Sequence, residues 1–253
     1  MSDPTAARQE RTATRRWPRR LAGGLAAGIA AAALWLGYIG AFGGQLYFDM
    51  PAENPRPDVA ALIFSGDLGF RIGMAPHVGQ RLAAAGIPVI GVSSLVHFRT
   101  RRRPDEVRGF IEEAMRHARA VTGARRLVLI GQSYGADMLH IGLAALPPAE
   151  RRGIALIALV VPTDTIYFRI SPAEMFEWTA PDAEALPTAR KLDWVPMLCV
   201  RGRDETASLC PMLHQPNVEQ LALPGGHPLH RDSAVLAGAL LGKIGRTLAT
   251  ARE

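Results

Sequence analysis

The 253-residue chain has only two cysteines, Cys199 and Cys210. That is too few for a cysteine-rich scaffold, and no cluster of thiols or carboxylates joins the histidines to complete a zinc site. Neither a metal nor another cofactor is expected. The chain also lacks internal repeats, which excludes solenoid and array architectures. Outside its first residues it lacks the positive charge a nucleic-acid binder needs. Net charge is +6, but residues 1–20 hold Arg8, Arg11, Arg15, Arg16, Arg19 and Arg20 against Asp3 and Glu10, a net of +4, so the other 233 residues carry +2. The basicity belongs to the tail, and no nucleic-acid partner is expected.

The longest absence of charge is LAGGLAAGIAAAALWLGYIGAFGGQLYF, residues 21–48. A bilayer crossing needs about 20 apolar residues. A buried core helix is the alternative, but an uncharged run at a chain start reads as a membrane segment. The preceding arginines keep the N-terminus cytoplasmic and send the rest outward. Ala41-Phe42-Gly43 has the small-x-small form of a cleavage site, and Thr14-Arg15-Arg16 has the paired arginines of an export signal. A signal core usually spans about 7–15 residues, so the longer run favours a retained anchor over a cleaved signal. Four parts result: a basic cytoplasmic 1–20, a membrane anchor or signal 21–48, a proline-rich linker 49–57 and a domain 58–253. Outside the cytoplasm, in an oxidising compartment, Cys199 and Cys210 are expected as one disulfide, with two free buried thiols as the alternative.

At 48% hydrophobic residues the chain can fill one sizeable core. Apolar runs alternate with helical patterns, as a mostly parallel α/β sheet with helices on both faces requires. Strands are predicted at 59–65, 87–92, 126–131, 154–161, 196–202 and 218–225. Their near-continuous hydrophobicity fits coverage on both faces. Helices are predicted at 74–85, closed by Gly86; at 104–122, opened by Pro104-Asp105-Glu106; at 134–146; and at 231–250. Residues 162–194, with five aromatics and four prolines, are predicted as a small cap.

Chemistry enters at LVLIGQSYGAD, residues 127–137. Gly131-Gln132-Ser133-Tyr134-Gly135 follows a strand and opens a helix, the context that separates a nucleophile elbow from an ordinary turn. Ser133 needs a base and an orienting acid, in the chain order Ser, acid, His. His227 in LPGGH ends the last strand and is the expected base, with His214 and His230 as rivals. The acid should follow the preceding strand, where Arg203-Asp204-Glu205 offers two carboxylates. Spacing from Gly202 favours Glu205, with Asp204 second. Oxyanion donors are expected from the Tyr134 N–H and from Asp67 or Leu68 in SGDLGF. Asp67 and Asp137 raise a puzzle: a carboxylate near an oxyanion opposes it unless it binds loop amides or a substrate cation. Arg99-Thr100-Arg101-Arg102-Arg103 reads as a solvated loop or as a contact for a lipid phosphate.

Taken together, SGDLGF, GVSSLVHF, GQSYGAD, LCVRGRDETASLCP and PGGH resemble the VirJ/AcvB bacterial virulence protein family over about residues 57–247. The resemblance implies an exported α/β-hydrolase fold and, by analogy with some members, removal of lysine or alanine from aminoacyl-phosphatidylglycerol. It places the nucleophile on Ser133, the histidine on His227, the acidic pair on Asp204 and Glu205, and the family cysteines on Cys199 and Cys210. It also implies an anionic aminoacyl phospholipid as membrane partner, and envelope or secretion-system proteins as further partners. The family usually has glycine at Leu68, tryptophan at Phe70, and aspartate at Ser93 and near Ala207. Phe70 is accordingly placed with Asp67 and Asp137 as a substrate-binding residue. Two alternatives stay open: a non-catalytic interaction protein serving type IV secretion, and an esterase or thioesterase for another lipid.

Overall fold

The structure is a computed structural model that describes residues 17–56, 58–176 and 178–250, with side chains described from residue 23 onward. The paired arginines at 15 and 16 and most of the basic tail lie outside the described residues. The chain divides into two units between Tyr38 and Ile39.

In the first unit the described residues form α1 (Trp17–Ile39). Its apolar side chains face outward, among them Leu25, Ile29, Leu34 and Trp35. Among the described residues no helix is long and apolar enough to cross a membrane. The uncharged run 21–48, expected as one segment, is in fact divided. The helix stops at Ile39, and Gly40 and Gly43 then take positive φ angles that other residues adopt only under strain. Residues Tyr47–Met50 form strand β1, the antiparallel edge of the main sheet. Hydropathy merged the two because a half-buried strand beginning Tyr-Phe is as apolar as the helix before it. The linker is likewise shortened: Asp49 and Met50 belong to β1, and the Arg56 N–H donates to the Gly86 carbonyl at 2.6 Å.

In the second unit the elements follow in chain order as β2 (Val59–Phe64), α2 (Met74–Ala84), β3 (Val89–Val92), α3 (Ser94–Phe98), α4 (Pro104–Thr122), β4 (Arg126–Gln132), α5 (Tyr134–Ala144), β5 (Ile154–Val160), β6 (Thr165–Ile166), α6 (Pro172–Met175), β7 (Ala183–Glu184), α7 (Leu186–Ala189), β8 (Met197–Gly202), β9 (Val218–Leu223) and α8 (Ser233–Thr250). The seven-stranded sheet runs β1-β3-β2-β4-β5-β8-β9, parallel except for β1. β6 and β7 pair separately inside the cap segment.

Every residue of β2 is buried, because α2 packs on it from one side and α4 and α5 from the other, while α8 packs on α2 and β5. Ala61 and Ile63 belong to one buried apolar cluster with Val78 and Leu82 of α2 and Leu240 and Ile244 of α8. On the opposite face Phe64 meets Phe110 of α4 edge-on at 6.0 Å. Fully burying such a side chain contributes about 1.5–3 kcal/mol. α4 begins as Pro104-Asp105-Glu106 requires: Glu106 accepts the Arg103 N–H at 2.8 Å, and Gly123 closes the helix with a left-handed φ. Cys199 of β8 and Cys210 form a disulfide that ties the strand to the loop beyond it. Parallel strands bring the ends of β2, β4, β5, β8 and β9 to one edge of the sheet, where α/β proteins place their sites.

Candidate active site

Ser133 sits between β4 and α5 with φ 51° and ψ −126°, a conformation that costs a non-glycine residue on the order of 1–3 kcal/mol. The neighbouring glycines explain how the bend is tolerated. A Cβ on Gly135 would overlap the carbonyl oxygens of Phe64 and Ser65, and one on Gly131 would overlap Ala136. The elbow is thus pressed against the end of β2, and the Ser133 N–H is held by the Val160 carbonyl at 2.8 Å.

Ser133 Oγ lies 2.8 Å from His227 Nε2, and His227 Nδ1 lies 2.5 Å from Glu205 Oε1. The second Glu205 oxygen accepts the Gly202 N–H at 3.1 Å. A carboxylate only accepts, so the Nδ1 proton belongs to the Glu205 bond and Nε2 is free to accept from the serine. Glu205 is 5% exposed at its side chain and His227 42%. The Glu205 hydrogen bond holds the His227 pKa above the usual histidine range; burial opposes it, and the Glu205 charge adds to it. Gly202 has no room for a Cβ because the Gly225 and Gly226 carbonyls press on it. That contact brings the histidine loop over β8.

Of the two carboxylates offered by the sequence, the structure sets Glu205 behind the imidazole. Asp204 is exposed, and its backbone N–H donates to the Gly225 carbonyl at 3.1 Å. The rival histidines lie elsewhere: His214 is exposed, and the His230 ring covers Gly225. His97 stacks on Phe110 at 3.6 Å and His117 on Tyr47 at 4.0 Å. His140 is buried against Thr188, and desolvation lowers its pKa to about 3.

The loop after β2 brings Gly66 against Ser133. Asp67 follows, half-buried and facing the nucleophile's cavity. Desolvation raises its pKa, against backbone hydrogen bonds from its own N–H and that of Leu68, and against His227. The two loop amides expected to serve an oxyanion thus act on the Asp67 carboxyl. Leu68 is 38% exposed.

Phe70 is not a pocket residue. It is 1% exposed, stacks on Phe48 at 5.2 Å and fills the space over Gly91. Gly69, with φ 78°, turns the chain so that Phe70 drops into the core under β1 and β3. The substrate-binding assignment is corrected accordingly.

Residues 162–194 stand over the site. A cavity of about 130 Å³ has Asp67, Ser133, Tyr134 and Asp137 on the sheet side. Its cap side is formed by Thr163, Thr165, Tyr167, Arg169, Glu174 and Met175. Asp137 accepts the Thr163 N–H at 3.0 Å and meets the Thr163 hydroxyl at 2.8 Å. Glu174 is buried and binds Arg169 at 2.9 Å. Thr163, Arg169 and Glu174 were not singled out in the sequence. The one local signal for Thr163 is its place just past β5, at the edge where the other site residues emerge. Two arginines of the run are tied to the same segment, Arg101 by pairing with Asp182 and Arg102 by its N–H to the Phe168 carbonyl, while Arg103 pairs with Asp105 of α4.

The sheet order, the strained serine and the Ser-His-Glu line together define a serine hydrolase of the α/β-hydrolase class. Solved structures with the same fold include Est1E from Butyrivibrio proteoclasticus (16% identity, TM-score 0.60, covering 79% of this chain and 93% of that one). The Pyrococcus furiosus esterase Pf2001 is similar at 15% identity and TM-score 0.54, covering 83% and 93%. XC6422 from Xanthomonas campestris, described as an α/β serine hydrolase without lid, is similar at 17% and 0.50, covering 79% and 93%. No curated protein matches the sequence. The family model described as bacterial virulence protein (VirJ) matches residues 58–248, and the chain belongs to that family.

Proposed function

We propose that the protein hydrolyses an ester whose acyl group carries a positive charge, with lysyl- or alanyl-phosphatidylglycerol as substrate. The observation that carries this reading is the Ser133–His227–Glu205 line opening onto a small cavity that presents two carboxyl groups, Asp67 and Asp137, to the acyl side. Ser133 Oγ attacks the aminoacyl carbonyl while His227 Nε2 takes its proton. The Tyr134 N–H and the Asp67 or Leu68 N–H hold the oxyanion. His227 then protonates the departing glycerol oxygen, water adds to the acyl-serine by the reverse path, and the amino acid leaves. Glu205 fixes the tautomer throughout. For the loop amides to reach the oxyanion the Asp67 carboxyl must turn off them, and an incoming ammonium group draws it in that direction.

A periplasmic location, with the uncharged run ahead of β1 holding the enzyme at the inner membrane or leaving as a cleaved signal, fits the disulfide and the basic N-terminus. Proximity to the lipid surface would raise the effective substrate concentration. Envelope or secretion-system proteins remain proposed partners. The test is incubation of purified protein with vesicles containing lysyl- or alanyl-phosphatidylglycerol. Wild type should release the amino acid, and Ser133→Ala should not. Release that persists in Ser133→Ala removes the assignment. Asp67→Asn separates a cationic acyl substrate from a neutral lipid or thioester, because it should impair only the former.

A further inference from the structure

One hydrogen-bond arrangement in the cavity wall is complete only with an additional proton. Asp137 Oδ1 accepts the Thr163 backbone N–H, and Asp137 Oδ2 lies 2.8 Å from Thr163 Oγ1. That same hydroxyl oxygen lies 2.6 Å from the Thr165 carbonyl. A carbonyl only accepts, an ionised carboxylate only accepts, and a hydroxyl has one hydrogen. With Asp137 ionised, one of these short contacts sets acceptor against acceptor in a buried place, an arrangement that costs about 1–3 kcal/mol. With a proton on Oδ2, Asp137 donates to Thr163 Oγ1, Thr163 donates to the Thr165 carbonyl, and every group is satisfied.

Burial acts in the same direction. Asp137 is 5% exposed, and desolvation pushes its pKa up to about 8. The Thr163 hydrogen bonds and the His227 charge oppose that rise, and the Glu205 charge adds to it. Tyr134 on the same helix has a buried hydroxyl without a hydrogen-bond partner and carries no charge there. Asp67 faces the cavity from the loop after β2, and Arg169 across it is already bound to Glu174. His227 is engaged by Glu205. Among the described residues around the cavity, no cation is therefore dedicated to Asp137.

We propose that Asp137 is the specificity-determining acid of this site, a neutral donor in the empty cavity that becomes a carboxylate only when a cationic acyl group enters. The step balances: the Asp137 O–H bond breaks, its proton leaves to solvent, and the ammonium pairs with the carboxylate. A neutral acyl group leaves the proton in place. This deepens the ester-hydrolase reading and rests on it. Below the Asp137 pKa each bound cation releases one proton, so its KM should fall about tenfold per pH unit.

The test uses full-length protein in detergent micelles with the p-nitrophenyl esters of alanine and of propionate, acyl groups that differ by one ammonium. The ratio of their KM values cancels His227 titration, and work below about pH 7 keeps the alanyl amine protonated. Asparagine keeps the shape, and its Nδ2 donates to Thr163 Oγ1 as the acid does, so the cavity wall keeps its hydrogen bonds. Between about pH 5 and about pH 7 the ratio should fall about tenfold more per unit rise in pH in wild type than in the variant. The second readout needs no substrate: the infrared spectrum of wild type minus Asp137→Asn near pH 6 should show a protonated carboxyl band, lost at high pH. Equal slopes in the two proteins, or no such band, overturn the proposal. If neither ester is turned over, the ester-hydrolase reading falls, and a missing or present band still decides the charge of Asp137.

Discussion

The two walls of the cavity are built by different means. The elbow wall, residues 131–137, is held by its own backbone: a strained serine between glycines that no side chain could replace. The cap wall, residues 162–194, is held by polar contacts between residues far apart in the chain, such as Arg101 with Asp182, Asp137 with Thr163, and the Arg102 N–H with the Phe168 carbonyl. The first arrangement is rigid and positions the reacting atoms. The second is adjustable and suits the selection of a substrate.

Substitutions can break that comparison. The largest effect is expected at the acid behind the elbow. Glu205→Gln should lower kcat by about four orders of magnitude by releasing the wrong imidazole tautomer. His227 acts as base only when neutral, so kcat/KM rises with pH through its pKa. Glu205 raises that pKa, and its loss should move the acid limb of the profile to lower pH. Asp204→Asn should leave kcat unchanged; equal losses for both would show that the acid had been misplaced. Next comes Gly135→Ala, whose new methyl meets the backbone oxygens of Phe64, the last residue of β2, and of Ser65 after it. It should destabilise the fold by about 3 kcal/mol or more, read as a loss of soluble protein or a large fall in Tm. The smallest is Glu174→Gln in the cap. It should cost about 1–3 kcal/mol of stability by weakening a buried acceptor for Arg169, and raise KM while leaving kcat close to wild type. A collapse of kcat there would mean that the cap also sets the geometry of the reaction.

The same contrast governs what could be read from the sequence. The elbow was legible because its constraint is local: a strand, a tight bend and a helix start lie within eleven residues. His227 was legible because loop order follows strand order in a parallel sheet. The choice between Glu205 and Asp204 needed coordinates, since adjacent residues differ only in which way the turn from Gly202 directs them. β1 was hidden by an apolar helix running almost into it. Phe70 was misplaced because SGDLGF reads as one exposed loop, whereas Gly69 returns the chain to the core. Glu174 carries no local signal and Thr163 only its place just past β5, since their roles arise only when the cap folds back over the elbow.

The central claim is that Ser133 is an activated nucleophile. It is tested most directly by treating the protein with a fluorophosphonate and locating the adduct by peptide mass spectrometry. One adduct, on the peptide containing Ser133 and absent from His227→Ala, is the expected result. No adduct, or an adduct elsewhere with Ser133 unmodified, would contradict the account.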